Sequence, residues 1–134
     1  MDGLTLADCR RLTDWVMTKA AGDGGKPVAI AICDGAGYLI SLTMMDGVPV
    51  RSAHFAQHKA YTAARMQAAS GAFGARIKKE EVDIRFYCDP KLTGLPGGAP
   101  IVADGGRVIG AIGISGRPSA DDQQLADAAA AIVR

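Results

Sequence analysis

Two pairs of apolar segments, each divided by a glycine-rich turn, limit the folds that this chain can adopt. PVAIAICD (27–34) and YLISLTMM (38–45) flank the turn GAG, and PIVADGGRVIGAIGISG (100–116) turns at DGG. Short turns built on glycine join neighbouring antiparallel strands. The pattern therefore predicts two hairpins and a mostly antiparallel sheet, with the continuous apolar run 27–34 as a central strand.

Helical periodicity precedes the first hairpin. Thr5 has Asp8 three residues on, which is typical of a helix N-cap, and the glycine-rich AGDGG ends the segment. Apolar residues recur between these signals at helical spacing. They are Leu6, Cys9, Leu12, Val16 and Ala20.

Three further helices are predicted after the first hairpin. An alanine-rich helix runs from Val50 to about Ala69 and is interrupted by ASGAFG, and ARIKKEEVDIRF forms a short charged helix. Ser119 caps a last helix from Ala120 to Val133, whose first turn carries Asp122 where the helix dipole favours negative charge. Helices packed on hairpins predict an α+β fold in two or three layers.

The overall composition narrows the class of protein. A chain of 134 residues has the length of one domain, expected to span residues 1–134. A net charge of +1 gives no support for binding nucleic acid or an anionic membrane. The first residues lack a basic segment followed by an apolar run, and no apolar stretch reaches spanning length, so we expect a cytoplasmic protein without a membrane segment.

The segment RSAHFAQHKAYTAAR (51–65) contains both histidines of the chain. At about 100° per residue, one side of this helix is made of alanines and is expected to face the sheet. The opposite side forms a polar stripe of two imidazoles, two guanidiniums and a phenol. Its members are Arg51, His54, His58, Tyr61 and Arg65.

This polar stripe has two main interpretations. It can be a helix face that meets solvent or a partner subunit, or a site in which the histidines are acid/base groups or ligands and the arginines hold a carboxylate. Lys59, expected to lie off the core side, is a further candidate for binding ligand charge. No bound metal ion is expected, since the stripe has no Asp or Glu and the HExxH pattern is absent.

The segment LPGGAP (95–100) is a second candidate site. The backbone N–H groups of Gly97 and Gly98 can face an anion or an oxyanion, or the glycines can simply give a tight turn into the second hairpin. Nucleotide-binding glycine patterns are absent. Cys33 is expected to be a small buried hydrophobe, and Asp34 to open the first turn.

Three segments together resemble the GlcG/HbpS-like family, also called the haem-degrading or DUF336 domain, which also forms the C-terminal part of PduO-type proteins. The segments are 31–64, with its Met-Asp-Gly and Lys-Ala-x-Thr-Ala patterns, 95–116 and 119–133. The resemblance implies a profilin-like or PAS-like α+β fold, a mostly antiparallel five-stranded sheet and assembly into homo-oligomers. Haem or a related tetrapyrrole is the implied ligand.

Two functional hypotheses follow. In the first, the chain is a small-molecule-binding domain whose ligand lies between the second helix and LPGGAP. The ligand's carboxylates would meet Arg51, Arg65 or Lys59, and an imidazole would bind the haem iron.

In the second hypothesis, the chain is a cofactor-independent enzyme of small organic acid catabolism, of tautomerase, hydrolase or lyase type. There His54 or His58 moves a proton and the glycine loop stabilises an enolate-like oxygen. Both histidines are additions to the residue pattern usual in the family, and this difference favours the enzyme hypothesis. The known properties of family members favour the binding hypothesis. A third possibility is an interaction module in which the polar stripe is an oligomer interface.

Overall fold

A computed structural model describes residues 3–132. The helices are α1 (Leu6–Gly22), α2 (Arg51–Met66), α3 (Ser70–Lys79) and α4 (Ser119–Ala130), with a short 3-10 helix at Ile84–Tyr87. The strands are β1 (Ala29–Asp34), β2 (Leu39–Met44), β3 (Gly98–Val102) and β4 (Val108–Ser115). None of the helices within 3–132 is both long and apolar enough to cross a membrane.

The sheet confirms both predicted hairpins. Its strand order is β2-β1-β4-β3, every neighbouring pair is antiparallel, and β1 is central as predicted. The number of strands differs, because the described residues contain four strands rather than five. Asp34 opens the first turn as expected, since its Oδ1 accepts from the backbone N–H groups of Ala36 and Tyr38.

The sheet separates two cores. Because side chains alternate along a strand, Ile30 and Ile32 of β1 face α1 and α4, whereas Ala29 and Ala31 face α2. The first core is rich in isoleucine and leucine, and the second is built almost entirely from alanine. This arrangement gives three layers, with α2 close to the sheet because neither surface carries bulky side chains.

Close packing of α2 depends on glycine in β4. A Cβ atom placed on Gly113 would collide with the backbone of Ala56 and Ala60. Small residues on both surfaces thus let the helix backbone approach the strand backbone. The polar stripe is thereby fixed on the side of α2 that faces away from the sheet.

The predicted helix ends need several corrections. The Thr5–Asp8 capping box is present, but Leu6 is exposed because it lies in the first turn, off the buried face of α1. The second helix ends at Met66, and ASGAFG does not interrupt a helix but begins α3 at Ser70. Gln67 adopts a left-handed conformation that ends α2 three residues earlier than about Ala69.

The start of α4 also differs from the prediction. Ser119 is its first helical residue rather than its cap, and the capping position is taken by Pro118 without a side-chain bond. Asp122 lies in the first turn as predicted, and its Oδ1 accepts from the backbone N–H of Arg117. The predicted end at Val133 lies outside the described residues.

Candidate functional site

The two histidines lie side by side on the outward face of α2. Their ring centroids are 4.0 Å apart with an interplanar angle of 45°, as expected for residues four positions apart on a helix. His54 is exposed and His58 is half-buried. The pair therefore offers one open imidazole and one partly shielded imidazole at the same surface.

The surroundings of His58 favour its neutral form. Burial lowers the pKa of His58 from its ordinary value of 6.5, and the nearby His54 and Lys91 lower it further against the opposing charge of Asp89. A neutral imidazole has a nitrogen lone pair that can accept a proton or bind a metal centre. His58 is thus chemically available at neutral pH.

Tyr61 organises the next turn of the same face. Its hydroxyl donates to Oδ2 of Asp89 at 2.7 Å, and this hydrogen bond raises the pKa of Tyr61. The Arg65 guanidinium lies 5.0 Å from the centre of the ring, and the Lys91 ammonium lies 5.5 Å from it. Arg65 is also held by its Nε, which donates to the carbonyl of Ala36 at 2.8 Å. Two cations therefore lie against one aromatic ring.

A cleft of about 140 Å³ opens beside His58 and Tyr61. Cys33 contributes to its floor, and burial raises the pKa of this thiol to about 12, so Cys33 is a buried hydrophobe as predicted and not a nucleophile. The sequence reasoning missed Asp89 and Lys91, which join the site from the segment CDPKLTG. Their only signal was a cluster of charge in a loop. The remaining lining residues are Gly37, Tyr38, Leu39 and Gln57.

Arg51 belongs to a different cleft from His58. It lies at the start of α2, where a space of about 230 Å³ also contacts Phe55, Lys59 and Leu95 of the LPGGAP segment. The polar stripe is therefore divided. His58 and Tyr61 line one cleft, Arg51 lines the other, and His54 and Arg65 line neither.

The sequence pattern predicted that Lys59 lies off the core side of α2, and this prediction is wrong, because Lys59 is buried. The residue is 2% exposed, and its Nζ donates to Oδ2 of Asp122 at 3.1 Å and to the carbonyl of Ile114 at 3.0 Å. Burial raises the pKa of Asp122, while Lys59 acts in the opposite direction. The flexible stem carries the ammonium past the alanine face to the end of β4, where this ion pair joins α2, β4 and α4.

The glycine pair does not present free donors to an anion. The N–H of Gly97 donates to Oε1 of Gln123 at 2.7 Å, and the N–H of Gly98 donates to the Ser70 hydroxyl at 2.8 Å. A Cβ on Gly97 would meet the Lys59 side chain, and Gly97 has φ +138°. The structure therefore assigns the two glycines to the tight turn into β3, not to an anion or oxyanion site.

Within residues 3–132, no three His, Cys, Asp or Glu side chains are grouped so that they could hold a metal ion. Haem iron needs fewer protein ligands than such an ion, because its porphyrin supplies the others. The histidine pair is the part of the described structure with suitable nitrogen ligands.

An antiparallel sheet between two layers of helices, with polar clefts beside the middle helix, defines a small α+β domain with candidate ligand sites on α2. The chain belongs to the family described as haem degrading protein HbpS-like, which matches residues 4–131. Protein GlcG of Escherichia coli (strain K12) is 39% identical over 88 residues, which cover 66% of this chain and 63% of GlcG. The match thus spans less than two thirds of that relative.

Solved structures agree with the family assignment. A double mutant of HbpS from Streptomyces reticuli has a TM-score of 0.87 and 29% identity, and the match covers 100% of this chain and 89% of that chain. The crystal structure of a PduOC:Heme complex has a TM-score of 0.85 and 26% identity, with coverage of 96% and 94%. The fold expected from the family resemblance is therefore confirmed at the level of a mixed α+β domain.

Proposed function

We propose that this chain binds haem or a related tetrapyrrole on the outward face of α2, with His58 or His54 as the protein ligand to iron. The observation that carries the proposal is the histidine pair, with ring centroids 4.0 Å apart at an accessible surface. The lowered pKa of His58 supports it, because iron binds the neutral imidazole. The PduOC:Heme complex, which has a similar fold and 26% identity to this chain, supports haem as the ligand.

The cations around Tyr61 would hold the acidic groups of such a ligand. Tetrapyrroles related to haem carry carboxylates, and arginine binds a carboxylate through two parallel hydrogen bonds. Arg65 is fixed through its Nε, and its terminal nitrogens have no hydrogen bond to any residue of 3–132. The Lys91 ammonium, which also lies against the Tyr61 ring, adds a second positive charge. The predicted ligand roles of Tyr61 and Arg65 remain part of this proposal.

The size of the cleft points to a shared binding surface. Pockets for drug-sized ligands measure roughly 300–1,000 Å³, and the cleft beside His58 holds about 140 Å³. Most of a macrocycle would therefore lie over the exposed face rather than inside one chain. Tyr38, Leu39 and Phe55 are exposed close to the histidines in sequence or space. We propose that a second subunit covers the ligand there, which makes the protein a homo-oligomer.

The test is a titration of the purified, metal-free protein with haemin, followed by absorbance. The proteins compared are the wild type, the His54→Ala and His58→Ala variants and the double alanine variant. Gln124→Ala, an exposed position on α4, controls for a helix substitution elsewhere. We expect saturable binding by the wild type and the control, and a changed Soret band in at least one histidine variant.

Two results would reject the proposal. One is no saturable binding by the wild type, and the other is an identical spectrum and affinity in the double alanine variant. The first result would direct attention to the organic acid hypothesis, in which a small substrate would occupy the 140 Å³ cleft with His58 as the proton acceptor. Light scattering with and without haemin tests the second subunit separately.

A further inference from the structure

The cleft that contains Arg51 lies between the first turns of two helices. It is formed where α2 and α4 begin beside the end of β4, and it holds about 230 Å³. This volume is below the range of roughly 300–1,000 Å³ for drug-sized ligands, so a small ligand fits it best. The polar and charged residues that line it include Arg51, Ser52, Lys59, Ser115, Arg117 and Asp122.

Two nearly buried serines of this cleft have hydroxyl groups without hydrogen-bond partners. Ser52 is 4% exposed and Ser115 is 5% exposed, and both line the cleft. Neither hydroxyl forms a hydrogen bond with any group in residues 3–132. Buried polar side chains are usually hydrogen-bonded. The two oxygens are open to the cleft, because Ser41 Oγ is the one fully buried side-chain oxygen without a partner within residues 3–132. Two free hydroxyl donors therefore line the same small cleft.

The electrostatics of the cleft favour an anion. Arg51 is exposed and makes no ion pair or hydrogen bond through its side chain within the described part of the chain. Asp122 is the only acidic residue in the lining, and its charge is matched by the buried Lys59. Arg117 also lines the cleft, but its guanidinium is bound to Asp23 at 2.6 Å. Arg51 thus supplies the uncompensated charge.

The start of α2 adds to this positive potential. Its N-cap, Val50, makes no side-chain hydrogen bond, and its first turn contains no acidic residue. The N-terminal end of a helix carries a partial positive charge and favours anions. The start of α4 does not add to it in the same way, because Asp121 and Asp122 lie in its first turn. The positive end of α2 therefore lies at the same cleft as the unpartnered hydroxyls.

We propose that this cleft is a binding site for a small oxyanion, a carboxylate or a phosphate. Arg51 pairs with the anion, and the hydroxyls of Ser52 and Ser115 donate to its oxygens. The buried Lys59–Asp122 ion pair forms the floor of the cleft and stays intact when the anion binds. The site is separate from the histidine pair, so it does not depend on the proposed binding of haem.

Calorimetric titrations with inorganic phosphate and with acetate, at low ionic strength, test the site. The variants are Arg51→Gln and Ser115→Ala. Arg10→Gln removes an exposed arginine from α1, and Ser41→Ala removes an unpartnered hydroxyl from β2. These two matched controls change the same groups outside the cleft.

We expect saturable binding of one of the two anions, with one site per chain, by the wild type and both controls. The affinity should fall at least tenfold in Arg51→Gln and severalfold in Ser115→Ala, because a charged and a neutral hydrogen bond are lost respectively. The anion that saturates identifies the site as one for phosphate or for carboxylate. The proposal is overturned if neither anion binds the wild type, or if all five proteins bind with equal affinity. Haem is absent from these titrations, so their failure is distinguishable from a failure of haem binding.

Discussion

Replacing Lys59 with methionine tests the buried ion pair that joins α2 to α4. The side chains of Lys59 and Asp122 are 3% and 2% exposed. Methionine retains the apolar stem but removes the charge and the hydrogen bonds to Asp122 and Ile114. Removing one partner of a buried pair costs about 3–5 kcal/mol, out of the 5–15 kcal/mol typical of total stability. We expect a loss of about 3 kcal/mol, because Asp122 keeps its hydrogen bond from the backbone of Arg117.

Urea unfolding followed by the fluorescence of Trp15 measures this loss. Trp15 is the only tryptophan of the chain; it lies in α1 and packs against the isoleucine- and leucine-rich core. The double variant Lys59→Met/Asp122→Asn leaves no unpaired charge, so it should be more stable than Lys59→Met by about 1–2 kcal/mol. Lys26→Met, at an exposed position in the loop after α1, should change stability by no more than about 0.5 kcal/mol.

The cost of Lys59→Met should also depend on pH. Burial already raises the pKa of Asp122, and Lys59 acts against this shift. Without Lys59 the folded protein should therefore bind a proton at Asp122 more readily than the unfolded chain does. Stability then rises as pH falls, so the loss is largest near pH 7 and smaller in moderately acidic solution. A loss below about 1 kcal/mol at pH 7, or one that does not change with pH, would contradict the reasoning.

Three further predictions concern α2 and its surroundings. Because the pKa of His58 is lowered from 6.5, the folded state resists protonation and loses stability as pH falls below that value. His58→Gln should therefore flatten the decline in denaturation midpoint between pH 7.5 and 5, and an unchanged slope would refute the assignment. Gly113→Ala should cost at least about 2 kcal/mol in urea unfolding, because its Cβ meets the α2 backbone. Gly22→Ala, with open space around its Cβ, should cost no more than about 0.5 kcal/mol, and equal effects would exclude the packing argument. Tyr61→Phe should lower the free energy of unfolding by about 0.5–1.5 kcal/mol through loss of the bond to Asp89, and a neutral effect would show that this bond contributes nothing.

The sequence predicted the backbone plan because its signals are local. The turn after Asp34, the capping box at Thr5 and the alternation within β1 each depend on residues within a few positions of one another. Boundaries were less well predicted, since the start of α4 depends on contacts around Asp122 that join segments distant in sequence. The error in the strand count has a different origin. Five strands were expected from the family resemblance, whereas the two hairpins predicted from the residues themselves account for the four strands in residues 3–132.

Periodicity also located the histidine pair, because an i, i+4 spacing on a helix places two side chains together whatever else the chain does. It could not identify Asp89 and Lys91 as neighbours of Tyr61, since they approach from a loop about thirty residues away. It also could not show that the amides of Gly97 and Gly98 are already bound by side chains of α4 and α3. Those assignments require the path of the loop in space.

The sequence by itself determined the hairpins, the helical faces and the adjacency of His54 and His58, because each follows from the fixed geometry of a strand or a helix. The tertiary structure alone decided that Lys59 is a buried partner of Asp122, and that Arg51 lies beside two unpartnered serine hydroxyls rather than in the cleft of His58. A lysine side chain is long enough to reach either the core or the solvent. A helical wheel shows the direction in which a side chain leaves the helix, but not which groups it reaches. Only the packing of α2 on the sheet, with the start of α4 beside the end of β4, selects which of these environments each side chain occupies.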